Sequence, residues 1–160
     1  MKKLECKQFL PLSLEEAWAY FSSPANLNEI TPDDMSFEIT SGNEHQFYEG
    51  MFITYKVAPL LGIKLNWVTE ITKIKPGSFF IDEQRMGPYN IWHHEHHFVE
   101  KDGGVEMTDL LWYDVGMGPI GKLAEAVFVD QKVKSIFDYR YKKLEQLFGT
   151  SHKMDQSLVH

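Results

Sequence analysis

The central part of the chain alternates between extended segments and turn residues. Six segments are predicted to form strands: Phe37–Thr40, Met51–Val57, Ile63–Ile74, Ser78–Arg85, Ile91–Lys101 and Val105–Val115. Glycine, proline and aspartate lie between most of them, and these are the residues that tight turns favour. Because the connections are short, successive strands are expected to pair antiparallel, as a meander.

The N-terminal part predicts one further strand and two short helices. The strand covers Leu4–Leu10, and the Ser13 and Glu16 that come next have the spacing of a capping box. A helix is therefore predicted over Leu14–Phe21. A second short helical turn is predicted over Ala25–Ile30, because the proline two residues later pushes the intervening residue out of the α region.

The C-terminal part has the helical period. From Ile120 to Phe148 there is no proline, and apolar side chains recur every three or four residues. This pattern predicts an amphipathic helix of about 28 residues, some 42 Å long. Such a helix packs most simply across the concave face of a curved sheet, which gives an α+β fold with a single domain over residues 1–148. Incomplete contact between helix and sheet would leave a cavity. Residues 149–160 are polar and aperiodic, so they are predicted to be disordered.

Composition and charge narrow the classes of partner. The chain has 23 carboxylates against 16 lysines and arginines, a formal net charge of −7, and no basic stripe. Nucleic-acid binding is not expected, because it depends on clustered cations. The single cysteine, the absence of an apolar signal segment and the lack of an 18-residue apolar run predict a cytoplasmic protein without an integral membrane segment. Aromatic residues make up 14% of the chain, enough to fill a core or to line an apolar pocket.

Four of the seven histidines lie in one run of the predicted strand Ile91–Lys101. Side chains alternate between the two faces of a strand, so His94 and His96 share one face with Trp92 and Phe98. The large aromatic residues mark that face as the buried one. The other two histidines of the run share the opposite face with Glu95 and are expected to be solvated.

The hairpin after this strand predicts a carboxylate partner for the inner histidines. An Asp102–Gly103 turn would place His96 opposite Asp109 and His94 opposite Leu111. A turn one residue later would make Asp109 a diagonal neighbour of His96 instead. In either register Asp109 lies close to His96, since direct partners are about 5 Å apart at Cβ and diagonal ones about 7 to 8 Å.

Three interpretations of His94, His96 and Asp109 remain open. The first is structural: a buried carboxylate is costly unless a histidine donates to it. The second makes these residues the polar anchor of an apolar pocket, where they would orient a carboxyl or hydroxyl group of a ligand. The third is a metal site, because two histidines and one carboxylate form a known facial triad. No metal and no other cofactor is the expectation we adopt.

Several stretches of the chain resemble a bacterial subgroup of the SRPBCC, START-like superfamily. The landmarks span about residues 4 to 148 and are Phe21–Leu27, Ile30–Pro32, Asp82–Gln84, Gly87–Tyr89, Trp92 with His94, His96 and Phe98, Thr108–Asp109 with Tyr113, Gly118–Gly121, and Ile136–Phe137 with Tyr139–Arg140. The resemblance implies the helix-grip fold of polyketide cyclase/dehydrase proteins and of the birch-pollen allergen. It also implies an apolar ligand held between the sheet and the terminal helix, and it implies no particular reaction.

The expected function is therefore non-catalytic binding or carriage of a small apolar molecule, such as a lipid, an isoprenoid or a polyketide-like compound. The candidate ligand-binding residues are Trp67, Gln84, Met86, Trp92, His94, His96, Asp109, Tyr113 and Phe137. The alternative is an acid–base cyclase or dehydratase in which His96 carries the proton and Asp109 orients it. The apolar loop Ala58–Gly62 suits a pocket lid or a contact in a homodimer.

Overall fold

The computed structural model describes residues 1–43, 46–58, 62–115, 126–149 and 155–159. They form eight strands and two α-helices. In chain order these are β1 (Lys2–Leu10), α1 (Leu14–Phe21), β2 (Glu38–Ser41), β3 (Phe52–Val57), β4 (Leu65–Lys75), β5 (Phe79–Met86), β6 (Ile91–Lys101), β7 (Gly104–Asp114), α2 (Ala126–Phe148) and β8 (Asp155–Val159), with single 3₁₀ turns at Pro24–Asn26 and Asp33–Met35. The predicted α+β class and meander are confirmed.

All eight strands belong to one antiparallel sheet in the order β2-β3-β4-β5-β6-β7-β1-β8. The hairpin between β6 and β7 has the predicted Asp102–Gly103 turn, which pairs Lys101 with Gly104 and places His96 opposite Asp109. Gly103 has a positive φ of 81°, a conformation that glycine adopts without steric cost. One two-residue turn therefore sets which side chains meet across these two long strands.

The short N-terminal helix α1 begins and ends where the sequence predicts. The Ser13 hydroxyl accepts from the Glu16 backbone N–H, and the Glu16 carboxylate accepts from the Ser13 N–H, so both halves of the capping box form. The inner side of α1 buries Ala17 and Phe21 against the sheet. Together with the 3₁₀ turns, this helix covers one end of the concave face.

The long helix α2 packs its apolar stripe against the sheet. Val133, Phe137 and Leu144 are buried, as the periodicity predicts, whereas Phe128 is exposed. The start expected at Ile120 lies outside the described residues, as does the centre of the loop Ala58–Gly62. No helix in the described part of the chain is long and apolar enough to cross a membrane.

The last strand differs from the sequence-based expectation of a disordered tail over residues 149–160. Asp155–Val159 pairs antiparallel with Lys3–Lys7 of β1. Pairing at a sheet edge needs only free backbone N–H and C=O groups, so it leaves no apolar periodicity in the sequence. The other tail residues beyond Gly149 lie outside the described part.

An irregularity in the pairing of β4 with β5 changes which face the end of β5 presents. Val68 pairs with Met86 and Thr69 pairs with Gln84, so one residue of β5 is left without a partner between them. A bulge of this kind shifts the alternation of side chains by one position. Met86 is consequently 52% exposed. Met86, one of the predicted ligand-binding residues, is therefore not part of the cavity wall described below.

Candidate functional site

A cavity of about 130 Å³ lies between the concave face of the sheet, the short N-terminal helices and α2. Its wall is largely apolar and aromatic, and the aromatic part is formed by Tyr55, Trp67, Phe80, Tyr89 and Trp92 together with other rings near α1. Several polar groups of this wall are satisfied internally. The Trp67 indole N–H donates to the Thr69 hydroxyl at 3.0 Å, and Tyr55 and Thr69 share a hydrogen bond of 2.8 Å.

Four of the nine sequence-predicted site residues reach this cavity. They are Trp67, Trp92, His94 and His96, and their inward facing results from the two-residue period of β4 and β6. Trp67 and Trp92 meet edge to face with ring centroids 5.2 Å apart. The inner face of β6 therefore contributes to both the aromatic and the polar parts of the wall.

Four of the remaining predicted residues do not line the cavity. Gln84 stabilises the turn after β5 with two hydrogen bonds. Its side-chain amide accepts from the Tyr89 N–H and donates to the Tyr89 C=O. Tyr113 is buried and donates to Asp130 at 2.9 Å. Phe137 is buried in the core, 5.5 Å from the His94 ring. Met86 is exposed because of the bulge between β4 and β5.

His94 and Asp109 form the first contact of a buried polar network. The His94 Nε2 lies 3.0 Å from the Asp109 Oδ1, and the two side chains are only 4% and 9% exposed. A nitrogen so close to a carboxylate oxygen carries the proton and donates it. His94 Nδ1 then carries a lone pair, and it faces the Asp82 Oδ2 at 3.5 Å.

His96 lies between two carboxylates. Its Nε2 is 2.9 Å from the Asp82 Oδ2, and its Nδ1 is 2.8 Å from the Asp109 Oδ1. The second contact is short but poorly aligned, so Nδ1 lacks a well-formed hydrogen bond. The ring stacks on Phe80 with centroids 4.2 Å apart. His96 is therefore fixed by one ring and two acidic groups.

Asp82 belongs to the network although it is not among the predicted site residues. It lies on β5 opposite His94 and lines the cavity, whereas Asp109 lies behind the histidine rings on β7. Asp82 falls in a landmark of the family resemblance, but the facing of β5 depends on where its bulge lies. The signal that could have found it is its spacing of two residues from Phe80, which is buried on the inner face.

Arg140 of α2 brings a positive charge to the same place, and it is also absent from the predicted set. Its side chain lines the cavity, lies over the Phe137 ring and places Nη1 3.8 Å from the Asp109 Oδ1. Nε and Nη1 are buried without a hydrogen-bond partner among the described residues. A buried donor left unpaired costs about 1 to 3 kcal/mol or more, so these atoms favour an acceptor in the cavity.

The network shifts the pKa values of its members in opposite directions. Burial by itself raises the pKa of Asp82 and of Asp109, but contacts with the two histidines outweigh it and hold both pKa values below their usual range. Burial lowers the pKa of His94, and the neighbouring His96 lowers it further. Burial also acts to lower the pKa of His96, but the two carboxylates raise it overall. His94 is favoured neutral and His96 charged.

These side chains also have the composition of a metal site. Among the described residues, Asp82, His94 and His96 form a group whose ligand atoms lie within 4.8 Å of one another. The predicted triad contained Asp109 in place of Asp82. Asp82 takes the place of Asp109 in this group because Asp82 lies at the cavity wall. Asp109 contacts the two histidine rings from the opposite side.

The outer face of β6 carries a second set of histidines and carboxylates. His93 contacts Glu83 at 2.6 Å and Glu95 at 3.1 Å, and His97 contacts Glu95 at 2.6 Å. The two histidine side chains are 31% and 35% exposed. They are thus partly solvated, as the strand period predicts, and they are also paired.

Comparison with known proteins identifies the architecture. The family model described as polyketide cyclase / dehydrase and lipid transport matches residues 10–149. Protein CV1439 from Chromobacterium violaceum has 14% sequence identity and a TM-score of 0.70, with 93% of this chain and 98% of that chain covered. Ginseng major latex-like protein 151 from Panax ginseng has 13% identity and a TM-score of 0.65, with 91% and 96% covered.

A third similar structure is TTHA0849 from Thermus thermophilus, with 14% identity, a TM-score of 0.60, and 91% of this chain and 98% of that chain covered. Identities this low establish the fold and no shared ligand. No curated protein matches the sequence. The family match spans most of the chain, so the protein belongs to the polyketide cyclase/dehydrase and lipid transport family and has the helix-grip fold of the SRPBCC, START-like superfamily.

Proposed function

We propose that the protein binds or carries a small, mostly apolar molecule with one polar or anionic group, without transforming it. The observation that carries the proposal is the cavity of about 130 Å³ whose aromatic wall meets a buried cluster of charged groups. A lipid, an isoprenoid or a polyketide-like compound has this combination of properties. Small-molecule sites are typically apolar with a few polar groups that fix the orientation of the ligand.

The size of the cavity supports a ligand rather than imperfect packing. Voids in protein cores seldom exceed the size of one water molecule. A volume of about 130 Å³ corresponds to about four water molecules, at about 30 Å³ for each. An apolar molecule in the cavity covers the cavity-facing surfaces of Trp67, Trp92 and Phe80, which is worth about 25 cal/mol for each Å² of apolar surface removed from water.

The charged cluster supports a ligand with an acceptor or an anionic end. Arg140 presents buried N–H groups without partners among the described residues, and His96 is held in a state that favours its charged form. A carboxylate, an enolate or a hydroxyl group of the ligand would satisfy these donors. We therefore expect the polar end of the ligand to lie beside Asp82, His96 and Arg140.

Acid–base catalysis is the second candidate function. It is favoured by one observation: His96 lines the cavity while both of its ring nitrogens lie near carboxylates. A histidine so placed has the means to transfer a proton to or from a carbonyl ligand during cyclisation or dehydration. A bound molecule that leaves chemically changed would favour this function over carriage.

Native mass spectrometry of the chain purified from the cells in which it naturally occurs tests the proposal. We expect a retained molecule of lipid-like mass that competes with the probe 8-anilinonaphthalene-1-sulfonate for the cavity. His96→Ala should then lower the affinity for the probe while the fold is kept, and turnover of the retained molecule should stop in this variant if the protein is an enzyme. Absence of a retained molecule together with absence of saturable probe binding would contradict the proposal.

A cytoplasmic location and a possible homodimer belong to this proposal as further predictions of the sequence. Fractionation of native cells checks the first, and sedimentation of the purified chain checks the second.

A further inference from the structure

We propose that Asp82, His94 and His96 bind a divalent transition-metal ion at the wall of the cavity. The inference goes beyond the proposed function, because it requires no organic ligand and is tested with the metal alone. It also departs from the sequence-based expectation of no metal, and it replaces Asp109 by Asp82 as the carboxylate ligand.

Each of the three side chains places one ligand atom within 4.8 Å of the other two. The Asp82 Oδ2 is 2.9 Å from the His96 Nε2 and 3.5 Å from the His94 Nδ1. Ligands placed about 2.0 to 2.2 Å from one metal ion lie about 2.8 to 3.6 Å from each other in octahedral or tetrahedral geometry. Both separations from Asp82 fall within this range, so an ion fits beside Asp82 once the two histidine rings adjust to it.

The protonation of His94 leaves a place for a cation. Its Nε2 donates to Asp109, so its Nδ1 has a lone pair directed toward the negative Asp82 Oδ2. Two acceptors that face each other in a buried site repel. A cation between them turns this repulsion into two favourable contacts.

Asp109 has the position of an outer carboxylate that orients both ligands. Its Oδ1 lies 3.0 Å from the His94 Nε2 and 2.8 Å from the His96 Nδ1, which are the ring nitrogens that face away from Asp82. A metal-bound histidine commonly donates its other N–H to a carboxylate, which fixes the tautomer and the ring orientation. Here Asp109 accepts from His94 and lies in charge contact with His96.

The donor set indicates the kind of metal. Two imidazoles and one carboxylate suit Zn²⁺ and Fe²⁺, and the arrangement with open positions is that of non-haem iron(II) triads and of three-ligand zinc sites. All three side chains line the cavity, so the remaining positions face its interior. A water molecule or the polar end of a ligand would occupy them.

A proton is the alternative occupant of the same place. With His96 doubly protonated, its Nε2–H donates to Asp82 while its Nδ1 lies beside Asp109, and the charges of the two carboxylates are balanced by His96 and Arg140. This state leaves the lone pair of His94 facing the Asp82 carboxylate. A metal ion displaces the proton from the His96 Nε2 and satisfies both histidines.

Isothermal titration of the chelator-treated chain with Zn²⁺, and with Fe²⁺ under anaerobic conditions, tests the inference. We expect one ion for each chain in the wild type. Affinity should fall at least tenfold in Asp82→Asn, His94→Gln and His96→Gln. The matched control is the double variant His93→Gln/His97→Gln, which removes the two outer histidines of the same strand and should bind as the wild type does.

Circular dichroism establishes that each variant is folded before its affinity is compared. X-ray absorption of the zinc-loaded wild type gives a second readout that needs no variant, with two imidazole nitrogens expected among the ligands. Absence of saturable binding to folded wild type, equal loss in the outer control, or a zinc environment without two imidazoles would overturn the inference.

The variant Asp109→Asn tests whether Asp109 orients the two histidine ligands without binding the metal ion itself. An amide at this position still contacts the rings but no longer supplies a charge. We expect the stoichiometry to stay at one ion for each chain while the affinity falls by about 10- to 100-fold. Unchanged affinity would show that Asp109 does not orient the ligands and would remove this part of the inference.

Discussion

The two faces of β6 carry nearly the same residue types in opposite surroundings. Inside, His94 and His96 meet Asp82 and Asp109, and their side chains are only 4% and 7% exposed. Outside, two histidines meet Glu83 and Glu95 at similar distances but are about a third exposed. A contact distance alone therefore does not define a site.

Three features belong to the inner face and not to the outer one. The inner carboxylates are shorter side chains fixed by neighbouring strands, so their oxygens have little freedom. Water is replaced by an aromatic wall, which strengthens every remaining electrostatic contact. The inner group also borders a cavity, where a further molecule can reach it.

The largest difference between the two faces of β6 is expected in the free energy of unfolding when the central carboxylate of each face is removed. Asp109→Ala removes the carboxylate beside Arg140 and one of the two carboxylates beside His96, so we expect it to lower the free energy of unfolding by about 3 to 5 kcal/mol. The matched outer change, Glu95→Ala, should cost about 1 kcal/mol or less, because solvent screens that pair. Urea unfolding of both variants measures the difference, and equal losses would show that the two faces are energetically alike.

The thiol of Cys6 reports whether the region behind the inner histidines is dry. Cys6 pairs with Asp109 across β1 and β7, and burial, followed by the charge of Asp109, raises its pKa to about 12. The neutral thiol is therefore favoured in the folded state. Above the ordinary thiol pKa the unfolded chain loses this proton and the folded chain keeps it, so stability should fall as the pH rises from about 9 toward 12.

A thiol reagent measures the same effect kinetically. Because the thiolate is the reactive form, Cys6 should react at pH 8 at least about a hundredfold more slowly in the folded chain than in urea. The rate should rise when the chain unfolds. Rapid reaction of the folded protein would contradict a buried, protonated thiol.

The cavity-facing arginine extends the inner site onto α2. Arg140→Gln should weaken binding of 8-anilinonaphthalene-1-sulfonate about tenfold or more, since a hydrogen bond to a charged group contributes about 1.5 to 3 kcal/mol. Lys142→Gln is the control, because Lys142 is exposed on the same helix. A fluorescence titration compares them, and equal affinity in the two variants would remove Arg140 from the site.

The smallest change in probe affinity is expected for a substitution at Met86, which the bulge on β5 turns to the outer face. Met86 is exposed on the outer side, so Met86→Ser should change the affinity for the same probe by less than about twofold. Trp92→Ala, at the cavity wall, should lower it by at least several-fold through lost apolar contact. A large effect of the Met86 change would indicate that β5 turns its end inward when a ligand binds.

Much of this arrangement results from short-range rules in the sequence. The turn at Asp102–Gly103 fixes the register of β6 and β7, and the two-residue period then places His94, His96 and Asp109 on one face. The capping box gives the start of α1, and the helical period identifies the buried side of α2. Each of these rules depends on neighbours in the chain.

The parts that escaped prediction depend on pairings between distant residues. Asp82 enters the site through the pairing of β5 with β6, and its two-residue spacing from Phe80 is the local signal for it. Met86 leaves the inner face through a bulge against β4, which has no local signature. Arg140 reaches Asp109 only because α2 crosses the sheet at one particular angle. The strand at Asp155–Val159 forms by edge pairing, which requires no pattern of its own.

Long-range ¹H–¹⁵N spectra of the histidine rings provide the decisive test of a ligand site on the inner face, because one titration observes both faces of β6. On addition of 8-anilinonaphthalene-1-sulfonate to metal-free protein, we predict that the ring signals of His94 and His96 shift with the binding curve. The signals of His93 and His97 should stay in place. Saturable binding that moves the outer rings, or that leaves the inner rings unchanged, would contradict a ligand site there.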